Sequence, residues 1–559
     1  MNRRSTFLPV AAAVALAALL LIPRLRAPVA FDGKYAYLPM ARAVLGEGWA
    51  YMSRPESVAY APLSFLYPAL LGANELLVRE TNIALYCVAI AIAFFALKAA
   101  SGARAGVIAA FLLAVSPTLR PYVADVLTEP PFVFLVAAWS LCVARLAAGG
   151  RMEWALAGGV ALALAALMRP AVMYFAPCAM IFFAWRRRWP LAAMHAIAFG
   201  GVGLWVLRNA LTFGFPAVAA GAGGALYFGV NPLVDGFDPP YYGMGFDSGL
   251  AQDSDSHLSI HADRRLGAIA LIELRDTPPA VPARMFAHKV LAFLFVTSAE
   301  TSGEPIPWLR AWRVALVMLA VIGTVARRRS PFVLAIAAFV AYMVAVHVPL
   351  LYTHRYSVGA IDFPLTLLAA LGAVEAARTA RRAAMVLVAG TLAVAVGLVE
   401  ASAAGPGTPK PERIPHEVVW LANLERQAGI APGTPFDIAV AKDATSPVWD
   451  LSMLQLDLAV SAAKPGACTA MRVRFKKPAE DRFADGRVVS IPLVAGAAMH
   501  RYTLGSTVPL VLDGAGTIRL ELECTSAASV RVGTIAVIAP RRERYYRDRY
   551  LETKNTPAR

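Results

Sequence analysis

The chain has 559 residues, of which 58% are hydrophobic and only 16% charged, with a mean hydropathy of +0.56. An ordinary soluble domain carries about 25% charged residues, so these values exclude that class and predict a polytopic membrane protein. The formal net charge of +16 comes from 53 Lys and Arg against 37 Asp and Glu, and much of the excess lies in short clusters between apolar runs. That is the positive-inside pattern and not a nucleic-acid footprint.

In chain order, Met1 to Arg4 and the apolar stretch from Phe7 to Ile22 resemble a signal peptide. The following "PRLRAP" offers no small-x-small cleavage site, so a retained first transmembrane helix is expected. Runs long enough to cross, about 20 residues each, fall at 7–23, 81–98, 104–119, 128–147, 153–168, 170–185, 189–207, 308–326, 331–351, 357–377 and 383–400, about eleven in all. Arg3 and Arg4, Lys98 and Arg104, Arg145 and Arg151, Arg186 to Arg188, Arg327 to Arg329, and Arg378, Arg381 and Arg382 all fall on one side of that alternation. This side is expected to be cytoplasmic. The 24–80 loop, the 208–307 loop and the C-terminal tail are then extracytoplasmic.

Within the first loop, "KYAYLPMARAVL" and "PLSFLYPALLGANELL" carry apolar residues at helical spacing and are too short to span, which predicts helices along the membrane surface. Almost no ionisable residue is expected in mid-helix. Asp32, Asp125, Glu129, Arg169, Arg208, Lys289, His354 and Arg355 map instead to the outer interface. Taken singly, each has a plain structural reading. Glu129 fits a helix start with Thr128 as N-cap, the arginines can snorkel to headgroups, and Tyr35 and Tyr37 can be interface anchors or acceptor contacts.

After the Pro/Gly-rich linker 401–415, the segments "AMRVRFK", "RVVSIPLV", "TVPLVLD", "TIRLELEC" and "SVRVGTIAVI" alternate like strands. The expected organisation is a transmembrane domain over 1–400 and a β-rich, sandwich-like extracytoplasmic domain over 416–559. In an oxidising compartment Cys468 and Cys524 are candidates for a disulfide, although sequence alone does not bring their Cα atoms within reach.

Four stretches carry a resemblance. "FDGKYAYLPMARAVLGEG", "VLTEPPFVFL", "LWVLRNALTFGFPAVAAGAGGALYFGVNP" and "THRYSVGAIDFPLTLLAA" are similar to segments of the GT-C class of membrane glycosyltransferases. Look-alikes are the bacterial relatives of protein O-mannosyltransferases and of the lipid A aminoarabinose transferase. The likeness runs in order over about residues 7–400 and leaves out the tail. Ala210 and Val230, and the "SVGAIDFP" after Arg355-Tyr356, depart from the usual pattern, which leaves the sugar open.

The resemblance implies a multi-pass protein of the bacterial inner membrane. It would transfer a sugar, with inversion, from a polyprenyl-phosphate carrier to an envelope glycan, lipid or protein on the extracytoplasmic face. Asp32 matches the family's base, Arg355 its phosphate ligand, and Arg208 or Lys289 a second cation; Asp125 and Glu129 would assist the acceptor. Arg169, His354, Tyr35 and Tyr356 complete the expected substrate-binding set. General-base catalysis and paired Arg donors suit that chemistry.

No metal is expected to be obligatory, and a divalent cation held by oxygen ligands is the candidate cofactor. "GAGGAL" at 221–226 lacks the Lys-Ser/Thr of a phosphate loop, so a nucleotide-sugar donor is not expected. The competing reading is a transporter or flippase of lipid-linked glycans, which would call for midplane charges and internal repeats. A further reading makes the tail a carbohydrate-binding module anchored by the membrane part.

Overall fold

The computed structural model describes residues 3–30, 32–230, 259–276, 279–295, 307–377 and 390, and in the C-terminal part 416–430, 434–440, 453–462, 467–476, 481–483, 488–493, 496–504 and 516–540. The helices are α1 (Arg3–Leu21), α2 (Leu38–Glu47), α3 (Trp49–Met52), α4 (Pro62–Leu70), α5 (Glu75–Ala100), α6 (Ala103–Val115), α7 (Arg120–Val123), α8 (Glu129–Ala147) and α9 (Glu153–Met168). Then come α10 (Phe175–Trp185), α11 (Trp189–Phe213), α12 (Ala222–Val230), α13 (Ile260–Asp276), α14 (Ala280–Phe295), α15 (Pro307–Ala326), α16 (Pro331–His347) and α17 (His354–Ala376). The described residues form two compact units, one of α1–α11 with α14–α17, the other of α12 and α13 with the C-terminal strands.

Among the described residues, six helices are long and apolar enough to cross a membrane: Phe7–Arg26, Glu75–Ala100, Glu129–Ala147, Trp189–Phe213, Leu309–Ala326 and His354–Ala376. Shorter apolar helices cover the expected runs near 104–119, 153–168, 170–185 and 331–351. The expected run 383–400 lies outside the described residues, residue 390 excepted, as does the 401–415 linker.

Helix α5 begins six residues before the predicted apolar run. Asn74 caps it, its side chain accepting the Leu77 N–H at 3.1 Å, so the polar turn "ELLVRE" joins the helix. That extra turn carries Arg79, which is 4% exposed. Its Nε donates to the Ala124 carbonyl at 2.8 Å, and Nη2 to those of Arg24 and Ala27 at 2.8 and 2.9 Å. One turn on, Asn82 Nδ2 donates to the Asp125 carbonyl at 2.6 Å. The N-terminal end of α5 therefore clamps the chain leaving α1 to the chain entering α8.

Helix α17 is the centre of the first unit, with 94% of its apolar window buried. Its crossing with α15 is a backbone-to-backbone approach: a Cβ on Gly323 would strike the Leu368 carbonyl, and one on Gly372 the Leu319 carbonyl. Small residues permit this closeness between membrane helices. The expectation of almost no mid-helix charge is corrected here. Asp362, well inside α17, pairs with Arg313 of α15, and both side chains are fully buried. Thr118 Oγ1 donates to the other Asp362 oxygen, and Arg313 also donates to the Phe293 carbonyl at 2.5 Å and to Ser357 Oγ at 3.3 Å.

In the second unit, α12 packs on α13, and the Asp263 carboxylate accepts the N–H groups of Gly221 and Gly223 at 2.8 and 2.6 Å. The strands are β1 (His416–Ile430), β2 (Phe436–Val440), β3 (Met453–Ala462), β4 (Cys468–Lys476), β5 (Val488–Pro492), β6 (Gly496–Leu504), β7 (Gly516–Cys524) and β8 (Ala528–Pro540). They form two four-stranded sheets, β1-β8-β3-β6 and β2-β7-β4-β5, whose paired neighbours are antiparallel.

Leu456 and Leu458 of one sheet and Met471, Val473, Ile518 and Leu520 of the other share one core, which is the expected sandwich. Between them on the outward face, Arg472 meets Glu523 and Arg519 meets Asp437 at 2.6 and 2.7 Å. Arg519 holds the Asp437 carboxyl below the usual carboxylate range. Four of the predicted segments fall in β4, β5, β7 and β8; "TVPLVLD" lies outside the described residues, and β1, β2, β3 and β6 are additional.

Cys468 and Cys524 form a disulfide across 56 residues of chain, joining β4 to β7. Reduction is expected to lower the stability of the sandwich by about 2–4 kcal/mol, seen as faster protease cleavage of the tail in dithiothreitol; an unchanged cleavage rate would contradict it. Replacing Arg79 by Met leaves three carbonyls without their donor, so a loss of about 3 kcal/mol is expected. A melting temperature in detergent equal to that of the wild type would show that the clamp does not hold the two segments.

Candidate active site

The chain re-enters helix directly after Phe31. Asp32 precedes a π-helical turn over Gly33–Tyr37 that runs into α2, with the Leu38 N–H donating to the Gly33 carbonyl. Wide turns of this kind are rare and concentrate at functional sites. Gly33 allows the turn to sit on the 125–126 segment, because a Cβ there would lie 2.5 Å from the Val126 carbonyl. Asp125 completes the docking. Its carboxylate accepts the Ala30 N–H at 3.0 and 3.2 Å and its own neighbour's, Val126, at 2.7 Å. Burial raises the Asp125 pKa, and these backbone donors oppose the shift.

Four residues after Asp125, Glu129 opens α8 as predicted. Thr128 supplies no side-chain cap, however. The Glu129 carboxylate is taken by two arginines from distant parts of the chain and is 1% exposed. Arg355 Nε donates to its Oε1 at 2.6 Å and Nη2 to Oε2 at 3.4 Å. Arg169 Nη2 donates to Oε1 at 3.1 Å. Arg355 Nη1 donates in turn to Asp32 Oδ2 at 2.5 Å. One guanidinium thus spans two carboxylates that lie 97 positions apart in the sequence.

Glycine is required at position 359, one turn below Arg355, because a Cβ there would strike Arg169 Nη1 and approach Glu129 Cγ to 2.8 Å. That Nη1 is buried and makes no hydrogen bond among the described residues. Arg169 also stands over the Phe132 ring, 5.5 Å from its centroid. Asp32 keeps the most access to solvent, with 32% of its side chain exposed against 2% for Glu129.

Aromatic side chains wall this cluster. Tyr37 is buried and meets Tyr60 edge-on at 5.5 Å. Burial first, and then the Asp32 carboxylate, hold both phenols above the usual tyrosine range. Tyr60 also feels Tyr356 and Arg355, and the prediction from sequence did not include it. Tyr35 falls among the residues whose side chains are not described.

The remaining predicted residues have other partners. Arg208 donates to Asn209 Oδ1 at 2.6 Å and to the Met52 carbonyl, and lies over Trp205 and Phe213. Lys289 donates to the Leu350 carbonyl at 2.9 Å and is 1% exposed, which ties α14 to the turn leading into Arg355. His354 is buried beside Tyr122, ring centroids 6.4 Å apart, and its Nδ1 has no hydrogen-bond partner among the described residues. Among the described residues no group of three or more His, Cys, Asp or Glu is placed to hold a metal ion. The space between Asp32 and Glu129 is filled by the Arg355 guanidinium.

Residues 54–211 match the family model described as dolichyl-phosphate-mannose-protein mannosyltransferase. The match takes in Asp125, Glu129, Arg169 and Arg208 and leaves Asp32, Lys289 and Arg355 outside. No curated protein matches the chain. Among solved structures, the Archaeoglobus fulgidus oligosaccharyltransferase in its apo form is similar at 13% identity and a TM-score of 0.41, covering 74% of this chain and 57% of that one. The same organism's oligosaccharyltransferase in complex with an inhibitory peptide and a dolichol-phosphate gives 14% and 0.39, covering 73% and 56%. ArnT from Cupriavidus metallidurans bound to undecaprenyl phosphate gives 16% and 0.30, covering 67% and 79%. The chain therefore spans a little over half the length of the oligosaccharyltransferase. In its 54–211 segment, which carries the acid of α8 and two of the candidate arginines, this polytopic helical protein is similar to the dolichyl-phosphate-mannose-protein mannosyltransferase family.

Proposed function

We propose that the protein transfers a sugar from a polyprenyl-phosphate carrier to an acceptor hydroxyl or amide of an envelope glycan, lipid or protein, at the extracytoplasmic face of the bacterial inner membrane. The observation that carries this reading is the Arg355 guanidinium shared by Asp32 and Glu129. It joins a partly exposed carboxylate, suited to orient or deprotonate an acceptor, to a cation suited to a departing phosphate. The family matched over 54–211 is named for a dolichyl-phosphate sugar donor, which supports the same donor class.

Each residue then has a role. Asp32 is the acceptor-side base, with Oδ1 unengaged among the described residues. Arg355 is the phosphate ligand. Arg169, with Nη1 free of hydrogen bonds, is the second cation, in preference to Arg208 and Lys289, whose donors serve backbone carbonyls. Glu129 positions both arginines and, being enclosed, does not meet the acceptor. Asp125 positions the Asp32 turn. Tyr37, Tyr60 and Tyr356 contribute to the wall. Transfer with inversion follows from direct attack of the acceptor on the anomeric carbon, with no covalent sugar intermediate on the protein. The sandwich of 416–559 assists acceptor binding, and deletion from residue 405 onward should reduce transfer without abolishing it.

Asp32→Asn is expected to leave the fold intact and to lower transfer by about 10²- to 10⁴-fold, the usual share of a positioned general base. Radiolabelled polyprenyl-phosphate sugar and membrane acceptor provide the assay, and full activity in that variant would remove Asp32 from the mechanism. Glu129→Gln should act differently. It strips a buried counter-charge from two guanidinium groups, with an expected cost of about 3–5 kcal/mol. A variant with normal melting and normal transfer would show that Glu129 does not hold Arg355.

A further inference from the structure

Helix α10 and the turn that follows it form a feature the transfer chemistry does not use. The apolar helical stretch Pro170–Trp185 has 16 residues, about 24 Å at 1.5 Å per residue, against about 30 Å of bilayer hydrocarbon. The helix stops in a Schellman turn: the Arg188 N–H donates to the Phe183 carbonyl at 2.8 Å and the Arg187 N–H to that of Ala184 at 2.9 Å. The residue after the C-cap of such a turn is usually glycine, because it takes the left-handed conformation. Here it is Arg187, with φ of 54°. An arginine is thus kept where glycine is favoured, between two more arginines, and all three side chains are exposed.

Beside this turn a groove runs between α10 and α11, lined by Met152, Ile181, Trp185, Trp189, Ala192 and Ala193 among others. Trp185 and Trp189 are 76% and 65% exposed. No lining residue is acidic, and the acid nearest in sequence, Glu153, is paired with Arg151 at 2.5 Å. A short helix brings its basic turn below the level of the headgroups, and shallow spans of this kind are accommodated by local thinning or by lipids that dip to them.

We propose that this groove is a binding site for one anionic glycerophospholipid, its phosphate held by Arg186, Arg187 and Arg188 and an acyl chain lying between Trp185 and Trp189. Charge complementarity selects this occupant: three guanidinium groups at one end of an uncharged apolar channel match a phosphate with an attached hydrocarbon chain. A second copy of the chain docked by the same face would bring two arginine triplets toward one two-fold axis, which repulsion opposes. On the positive-inside reading the lipid belongs to the cytoplasmic leaflet.

The test uses the full-length protein in vesicles of phosphatidylcholine doped with acyl-brominated phosphatidylglycerol or acyl-brominated phosphatidylcholine, with the W185F/W189F variant as the fluorescence reference. Stronger quenching of Trp185 and Trp189 by the brominated phosphatidylglycerol is expected. Arg187→Gly should reduce that preference about fivefold, the share of one basic residue at an anionic surface. It should also melt no lower than the wild type, since glycine suits the turn, and transfer sugar as before. Equal quenching by the two lipids, or an undiminished preference in Arg187→Gly, would overturn the proposal. A dimer cross-linked through Ile181→Cys in these vesicles would likewise overturn it, by assigning the groove to a second copy.

Discussion

Two carboxylates that no local rule would associate are held by one guanidinium. Arg355 lies in the first turn of α17, where the helix dipole disfavours a cation, whereas Glu129 lies in the first turn of α8, where the dipole favours an anion. Arg355 therefore depends on Glu129 and Asp32 for compensation, and with only 13% of its side chain exposed water contributes little. Removing either acid leaves a charge in a poorly solvated place. Much of the surrounding architecture keeps these partners in register: Arg79 and Asn82 gather the segments on either side, Asp125 pins the turn of Asp32, and Gly359 leaves the space that Arg169 and Glu129 occupy.

The register of α17 itself is set at two depths. At the depth of Gly323 and Gly372 the backbones of α15 and α17 touch, so neither helix can slide without a clash. Nearer the site, Asp362 stands seven residues after Arg355, and therefore on about the same face of the helix. It is fixed by Arg313 and Thr118, while Arg313 also reaches carbonyls at the end of α14. Two opposite charges that satisfy each other and have no exposed surface do not make a transport pathway. They make a fixed point, and they connect α14, which carries Lys289, to the helix that carries Arg355.

The membrane character, the positions of most apolar helices and the sandwich were legible because each depends on composition or on a single period. Asp32, Glu129, Arg169 and Arg355 were also legible as candidates, since charges at the mouths of apolar runs are few. Their mutual bonding was not, because a pair separated by 226 positions in sequence, such as Glu129 and Arg355, leaves no local trace. Arg79 was not marked because Glu75 to Leu77 was expected to end a surface helix running from Pro62, and nothing short of its three carbonyl partners singles it out. Arg313 and Asp362 fall inside the expected runs 308–326 and 357–377, which a hydropathy reading passes over as apolar, although an acid within a helix as buried as α17 must find a cation. Strand β1 was missed for a different reason: its register shifts between Val418 and Trp420 and between Asn423 and Arg426, which breaks the alternation that revealed β4 and β7.

The charge of the proposed site constrains its mechanism. Asp32 and Glu129 contribute two formal negative charges and Arg355 and Arg169 two positive ones, so the four side chains balance one another. A lipid-linked phosphate entering a neutral, mostly buried cluster must displace an anion from a cation, because uncompensated charge there is costly. Glu129 is enclosed and bound by both arginines, whereas Asp32 has the exposed side chain and a single cationic partner. The exchange therefore falls on the Asp32–Arg355 bond. As the phosphate takes Arg355, the Asp32 carboxylate is released from its counter-ion. On the proposed reading, donor binding thus frees the carboxylate that the acceptor needs, and one arginine serves both halves of the transfer in turn.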